Sequence, residues 1–115
     1  MSEDCLFCKI ISGDVPSNKV YSDAEVYAFH DISPAAPTHI LIIPRKHLTS
    51  IAHANEQDEA LLGHLLLKAN EIAEAQGLGD EGFRYIINTG DRGGQTVHHL
   101  HLHILGGRQM TWPPG

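Results

Sequence analysis

Four histidines, His98, His99, His101 and His103, fall within six consecutive positions, and three of them alternate with Leu100, Leu102 and Ile104. In a strand, that alternation turns His99, His101 and His103 to one face and sends His98 and the aliphatic side chains to the other. Imidazole is costly to bury without partners and changes charge near physiological pH, so a row of three points to a reaction or a metal. At about 3.3 Å per residue the neighbours lie about 6.6 Å apart and the outer pair about 13 Å, beyond the reach of one ion. The three therefore read as imidazoles with separate tasks; a solvated polar strand face is the plainer alternative. His101, in the middle, is the natural nucleophile for a phosphorus centre. One neighbour can fix its tautomer while the other donates to a phosphate oxygen or the leaving group.

Other residues could join them. Gly93-Gly94-Gln95-Thr96 stands immediately before the row. Glycines there let backbone amides approach an anion and Thr96 adds a hydroxyl, although an ordinary turn has the same composition. Asn88 could add an amide donor or simply end a strand. His39 opens an apolar segment whose odd-numbered side chains share a face, so it can orient a triad member if that segment lies beside the histidine strand. Cys5-x-x-Cys8 leaves three readings open: a metal site, reduced core cysteines, or a redox pair.

Periodicity supplies the elements that must position these groups. Leu6 to Ile11, ended by Gly13 and Pro16, predicts a turn or brief helix. Val20 to Ser22 and Val26 to Phe29 predict a hairpin about Asp23-Ala24. Asp31 to Pro37 holds two prolines and predicts a loop, and His39 to Ile43 a central strand buried on both faces. A long helix is expected from an Asn55 N-cap, with Leu61, Leu62, Leu65, Ala69, Ile72 and Ala73 as its apolar stripe and Gly77 as its stop. Phe83 to Asn88 reads as the fourth strand, Thr89 to Gln95 as a glycine-rich connection and Val97 to Leu105 as the fifth. Tight links between strands favour an antiparallel α+β domain.

Composition bounds the rest. The 115 residues, 42% of them hydrophobic, suit one domain with one modest core. Eight basic against fourteen acidic side chains, a formal charge of -6, disfavour a nucleic acid polymer as partner. No apolar run approaches a membrane span, and the start Met1-Ser2-Glu3-Asp4 lacks signal-peptide character, so a cytoplasmic location is expected.

His99-Leu100-His101-Leu102-His103-Ile104-Leu105 resembles the signature of the histidine triad (HIT) family. Phe29-His30-Asp31-Ile32-Ser33-Pro34, Pro37-Thr38-His39, Pro44-Arg45-Lys46-His47, Gly93 to Val97, Gly106 to Met110 and Trp112-Pro113-Pro114-Gly115 are similar to its nucleotide-binding (Hint) branch. The resemblance implies one HIT domain over residues 1–115, with an N-terminal segment 1–17 and a C-terminal tail 109–115. It implies a five-stranded antiparallel sheet with one long helix and a short N-terminal helix, dimerising into a ten-stranded sheet. It also implies hydrolysis of purine nucleoside 5'-phosphoramidates to the nucleoside monophosphate.

Carried over by position, His101 is the nucleophile that becomes nucleotidylated and His103 contacts the phosphate. His99 and His39 orient the site, and Thr96 assists at the leaving group. Asp31 binds the ribose hydroxyls, Phe29 and Ile32 line the base pocket, and Asn88, Gly94 and Gln95 contact phosphate. Trp112 approaches the active site of the partner subunit, although the composition of the tail by itself suggests disorder. No cofactor is required for catalysis in the family. In members that carry the cysteine pair, Cys5, Cys8, His47 and His99 hold a structural zinc. Two departures stand out: His98 replaces a Tyr of eukaryotic relatives, and many relatives lack the cysteines. The alternatives are a dinucleoside polyphosphate hydrolase, a nucleotidyltransferase, against which His103 argues because that branch usually has Gln there, and a non-catalytic nucleotide- or zinc-binding interaction protein.

Overall fold

Strand β3 (Thr38–Pro44) runs through the middle of the computed structural model, which describes residues 4–115. Met1, Ser2 and Glu3, the start of the N-terminal segment, lie outside the described residues. Every residue of β3 after Thr38 is buried, as a continuous aliphatic run covered on both faces requires. β1 (Lys19–Ser22) and β2 (Val26–His30) form the hairpin, whose turn is held by the Asp23 carboxylate accepting from the Glu25 and Val26 amides at 2.8 and 2.9 Å. With β4 (Arg84–Ile86) and β5 (Leu102–Gly106) they make one antiparallel sheet in the order β1-β2-β3-β5-β4.

The two faces carry different burdens. Val26, Ala28, Ile40, Ile42, Leu102 and Ile104 pack against Leu65, Ala69, Ile72 and Ala73 of the long helix α2 (Glu59–Ala75). On the other face Phe29, Leu41 and Ile43 meet Phe7 and Ile10 of a short helix, α1 (Leu6–Ser12). Because β3 and β5 pair with Leu41 opposite His103, the odd-numbered residues of both strands share the α1 face.

Three boundaries differ from expectation. Asn55 caps a 3-10 turn (Glu56–Asp58) through a capping box with Asp58, and α2 proper begins at Glu59. Its stop is as expected: Gly77, at φ +78°, and Leu78 return amides to the Glu74 and Ala73 carbonyls at 3.0 Å. β4 is three residues long because its register on β5 ends at Ile86 opposite His103. The largest correction concerns the fifth strand, which starts at Leu102 rather than Val97. Residues 97–101 are tied elsewhere: the Gln95 carboxamide donates to the Thr49 and Val97 carbonyls at 2.7 and 3.0 Å, and the Leu100 amide to Leu48 O at 2.7 Å. Those local bonds replace the ladder. Among the described residues no helix is long and apolar enough to cross a membrane.

Candidate active site

His103 is the one triad histidine inside a strand; His99 and His101 sit on the stapled segment before it. The bend still leaves all three on the α1 side, since the Phe7 ring contacts both His99 and His101, with centroids 6.0 and 5.1 Å away. His101 and His103 have ring centroids 5.0 Å apart, closer than a uniform strand row allows for.

Hydrogen-bond partners fix the tautomers. The Nδ1 of His101 lies 2.7 Å from the His99 carbonyl, which can only accept, so Nδ1 carries the proton and Nε2 keeps its lone pair. Burial lowers the His101 pKa below the ordinary imidazole value, against the opposing pull of the His99 carbonyl and the Asp31 carboxylate. At neutral pH this leaves His101 an uncharged imidazole with the lone pair on Nε2.

The neighbouring pair has the opposite polarity. The Ala35 amide donates to His39 Nδ1 at 2.9 Å, so the His39 proton is on Nε2. That Nε2 stands 2.9 Å from His103 Nδ1 and 3.5 Å from Asp31 Oδ2, and its shorter bond makes His103 Nδ1 the acceptor. The remaining proton of His103 is therefore on Nε2, which is buried and has no hydrogen-bond partner among the described residues. Burial, with His101 and His39 nearby, pushes the His103 pKa down to about 4, and burial likewise lowers that of His39. A lone pair on His101 thus lies beside a spare donor on His103.

Nearby lies a mostly apolar cavity of about 420 Å³ lined by Phe29, Asp31, Ile32 and Leu41 from the sheet side and by Leu6, Phe7 and Ile10 from α1. The residues from α1 and Leu41 were not singled out in the sequence, although Phe7 and Ile10, three apart beside the cysteines, carried the amphipathic signal. Thr96 and Val97 close one side. Asp31 is held at the rim, with Oδ1 accepting from the Ser33 amide at 2.8 Å. Gly94, at φ +84°, and Gly93 complete the loop; a Cβ on Gly93 would lie 2.4 Å from Thr89 O. Asn88 is half-buried, with no hydrogen bond to its carboxamide among the described residues. The Gln95 carboxamide is fully engaged within the loop, its Oε1 accepting from the Gly90 amide at 2.9 Å, so in this conformation it holds the loop together. Trp112 lies far from burial, 81% exposed, on a tail tied back by Arg84 to Thr111 O at 2.9 Å and by Arg108 to Ala35 O at 3.1 Å. His98 is exposed and takes no part.

Among the described residues, two groups of side chains have metal-like spacing, Cys5-Cys8-His47-His99 and Asp31-His39-His103, each with its ligand atoms within 4.8 Å of one another. Tautomers separate them. His99 Nε2 donates to the Pro44 carbonyl at 2.8 Å, leaving the Nδ1 lone pair directed at the thiols. His99 Nδ1 is 3.3 Å from Cys5 Sγ, 3.6 Å from Cys8 Sγ and 3.1 Å from His47 Nδ1, and Cys8 Sγ is 3.4 Å from His47 Nδ1. A tetrahedron about zinc has N···N edges of about 3.3 Å and N···S edges of about 3.6 Å, so these residues fit the ion. The Cys8 amide also points at Cys5 Sγ, 3.3 Å away, which favours a thiolate. In the other group His39 Nε2 holds the proton, and a metal there would have to displace it; that group fits a hydrogen-bond relay.

A model of the HIT domain matches residues 12–110. The chain belongs to the HIT domain family. An uncharacterised HIT-like protein of Synechocystis sp. is 55% identical over 115 residues, all of both chains. Among solved HIT proteins, a HIT family hydrolase of Legionella pneumophila is 52% identical with a TM-score of 0.96, covering 97% of this chain and 100% of that one. A histidine triad nucleotide-binding protein of Candida albicans is 30% identical with a TM-score of 0.80, covering 96% and 83%. The HIT fold read from the sequence, a five-stranded antiparallel sheet with one long and one short helix, is the fold observed.

Proposed function

We propose that this HIT protein hydrolyses purine nucleoside 5'-phosphoramidates through a nucleotidyl-histidine intermediate on His101. The opposed tautomers of His101 and His103 beside a nucleoside-sized cavity carry the reading. His101 Nε2 attacks phosphorus, and the P–N bond to the leaving amine breaks with its electron pair going to nitrogen. That nitrogen takes up a proton. The His103 Nε2 proton is the spare donor for a phosphate oxygen or the departing group, backed by His39 and Asp31, with the Thr96 hydroxyl at the leaving-group side. Water then attacks phosphorus, its lost proton replacing the one given to the amine, and the bond to His101 breaks, releasing the monophosphate and returning the lone pair to Nε2.

In this reading Phe29, Ile32, Phe7 and Leu41 hold the base, the Asp31 carboxylate accepts from the ribose hydroxyls, and Asn88, Gly94 and the Gln95 main chain face the phosphate. The hydrolase and nucleotide-binding names of the Legionella and Candida neighbours support the class. A structural zinc on Cys5, Cys8, His47 and His99 would fasten α1 to the sheet, and catalysis calls for no other cofactor. Cysteines acting as thiolates suit a reducing compartment, in keeping with a cytoplasmic location. A homodimer joining two sheets is supported by Leu66, Leu67 and Ile87, exposed by 49, 66 and 42%, and by β4 standing at the sheet edge; Trp112 of the partner subunit would then complete the site.

Turnover of adenosine phosphoramidate by wild type and His101→Ala, beside a dinucleoside polyphosphate, tests this. Loss of at least about 10⁴-fold in the variant is expected. Equal rates would remove His101 as nucleophile, and faster polyphosphate cleavage by wild type would move the assignment to that class. Nucleotide binding with no turnover of either substrate would leave a binding protein.

A further inference from the structure

The residues that line the nucleoside cavity are divided between the sheet and α1, and α1 has a special attachment. Leu6, Phe7 and Ile10 form its wall of the cavity. Cys5 is the N-cap of the same helix and Cys8 lies within its first turn, so the two thiols that bracket Leu6 and Phe7 are the ones grouped with His47 and His99. A seven-residue helix is too short to persist alone. Its position depends on the apolar contacts of Phe7 and Ile10 and on whatever holds Cys5 and Cys8.

A second cavity, of about 390 Å³, is lined by Cys5 and His47 together with Asp4, Leu6, Thr96, Val97 and His98. Leu6, Thr96 and Val97 line both cavities and so form a partition between them. Cys5 and His47 are only partly buried, which gives a chelator or a metal donor access to the group without opening the core. His99, by contrast, is fully buried, and its carbonyl is the group that orients His101.

We infer that metal occupancy at Cys5, Cys8, His47 and His99 sets the nucleotide affinity of the cavity, by fixing the α1 wall that carries Leu6, Phe7 and Ile10. This coupling rests on the nucleotide reading above and adds to it a regulation of that site by available zinc. Occupancy holds the wall against the base; loss of the ion leaves the α1 side of the cavity to apolar packing around Phe7 and Ile10 and to weak thiol–imidazole contacts. By linkage the effect is reciprocal, so nucleotide must hold the metal in the measure that metal holds nucleotide.

The test is the affinity for AMP of the full chain, zinc-loaded and chelator-stripped, by calorimetry, with thermal melting to establish that the stripped form is folded. AMP should bind the stripped protein about tenfold more weakly, within the usual range of such couplings. The second measurement needs no metal-free protein: in equilibrium competition with a chromogenic chelator, the loaded chain should hold zinc about tenfold more tightly with saturating AMP. Equal AMP affinity in a folded stripped protein, or a zinc affinity unaffected by AMP, overturns the coupling and leaves the nucleotide reading standing. A zinc-loaded protein that does not bind AMP overturns both. A wild type that takes up no zinc overturns the coupling alone.

Discussion

At the scale of single residues, the site consists of rings whose protons are assigned by what they touch. His101 has its proton on the carbonyl side and its lone pair free, while the Ala35 amide, through His39, forces a donor onto His103 Nε2. In the proposed reaction, acidification should therefore stop nucleotidylation by protonating His101. Because burial lowers its pKa, the acid limb should fall below pH 6.5, the ordinary imidazole value, in single-turnover rates against pH. A limb at or above 6.5 would contradict the burial. Replacing His39 by Ala should lower kcat by about 10²-fold, with little change in AMP affinity, since it touches His103 rather than the nucleoside. Stability follows from the same burial. His103 has its pKa pushed down to about 4 in the folded chain against about 6.5 unfolded, so the unfolded state binds more protons between those values. The contribution of His103 to stability is therefore full above pH 6.5 and declines as pH falls towards 4, which chemical denaturation at stepped pH of wild type against a His103→Gln variant would measure. The sequence made the identities of these residues legible because alternation alone puts His101 and His103 on one face. It could not give the tautomers, which depend on the Ala35 amide and the His99 carbonyl.

At the scale of elements, the hairpin, the central strand and α2 follow from local pattern, since Asp23, the run His39 to Ile43 and Gly77 each act on their neighbours in the chain. The start of β5 does not. Nothing in the alternation from Val97 to Leu105 discloses that Gln95, 46 positions from Thr49, will bind the Thr49 carbonyl and draw residues 97–101 out of the ladder. That staple can be tested. Gln95→Ala leaves the Gly90 amide and the Thr49 carbonyl without their partner and should destabilise the protein by about 1–3 kcal/mol in denaturant melts. Gly93→Ala should be worse tolerated than substitution at exposed Gly63, where an added Cβ meets nothing within 4 Å. The α1 wall escaped the sequence for a related reason: a seven-residue amphipathic helix announces burial but not which cavity it will cover.

At the scale of the whole molecule, the sheet divides labour between its faces, one packed on α2 for stability and the other reserved for α1, the histidines and the cavity. The exposed leucines of α2 and the β4 edge belong to neither. Leu67→Glu should convert the proposed dimer to a monomer in sedimentation while leaving metal content unchanged; a wild type that is already monomeric would refute the dimer. The four residues proposed to hold zinc are scattered along the chain, with Cys5 and His99 separated by 94 positions. That separation has a consequence for biosynthesis. The thiols leave the ribosome well before His99 and must stay reduced until it follows, so an ion held by all four residues could be taken up only once His99 has emerged, and a product cut short before His99 could never complete the proposed site.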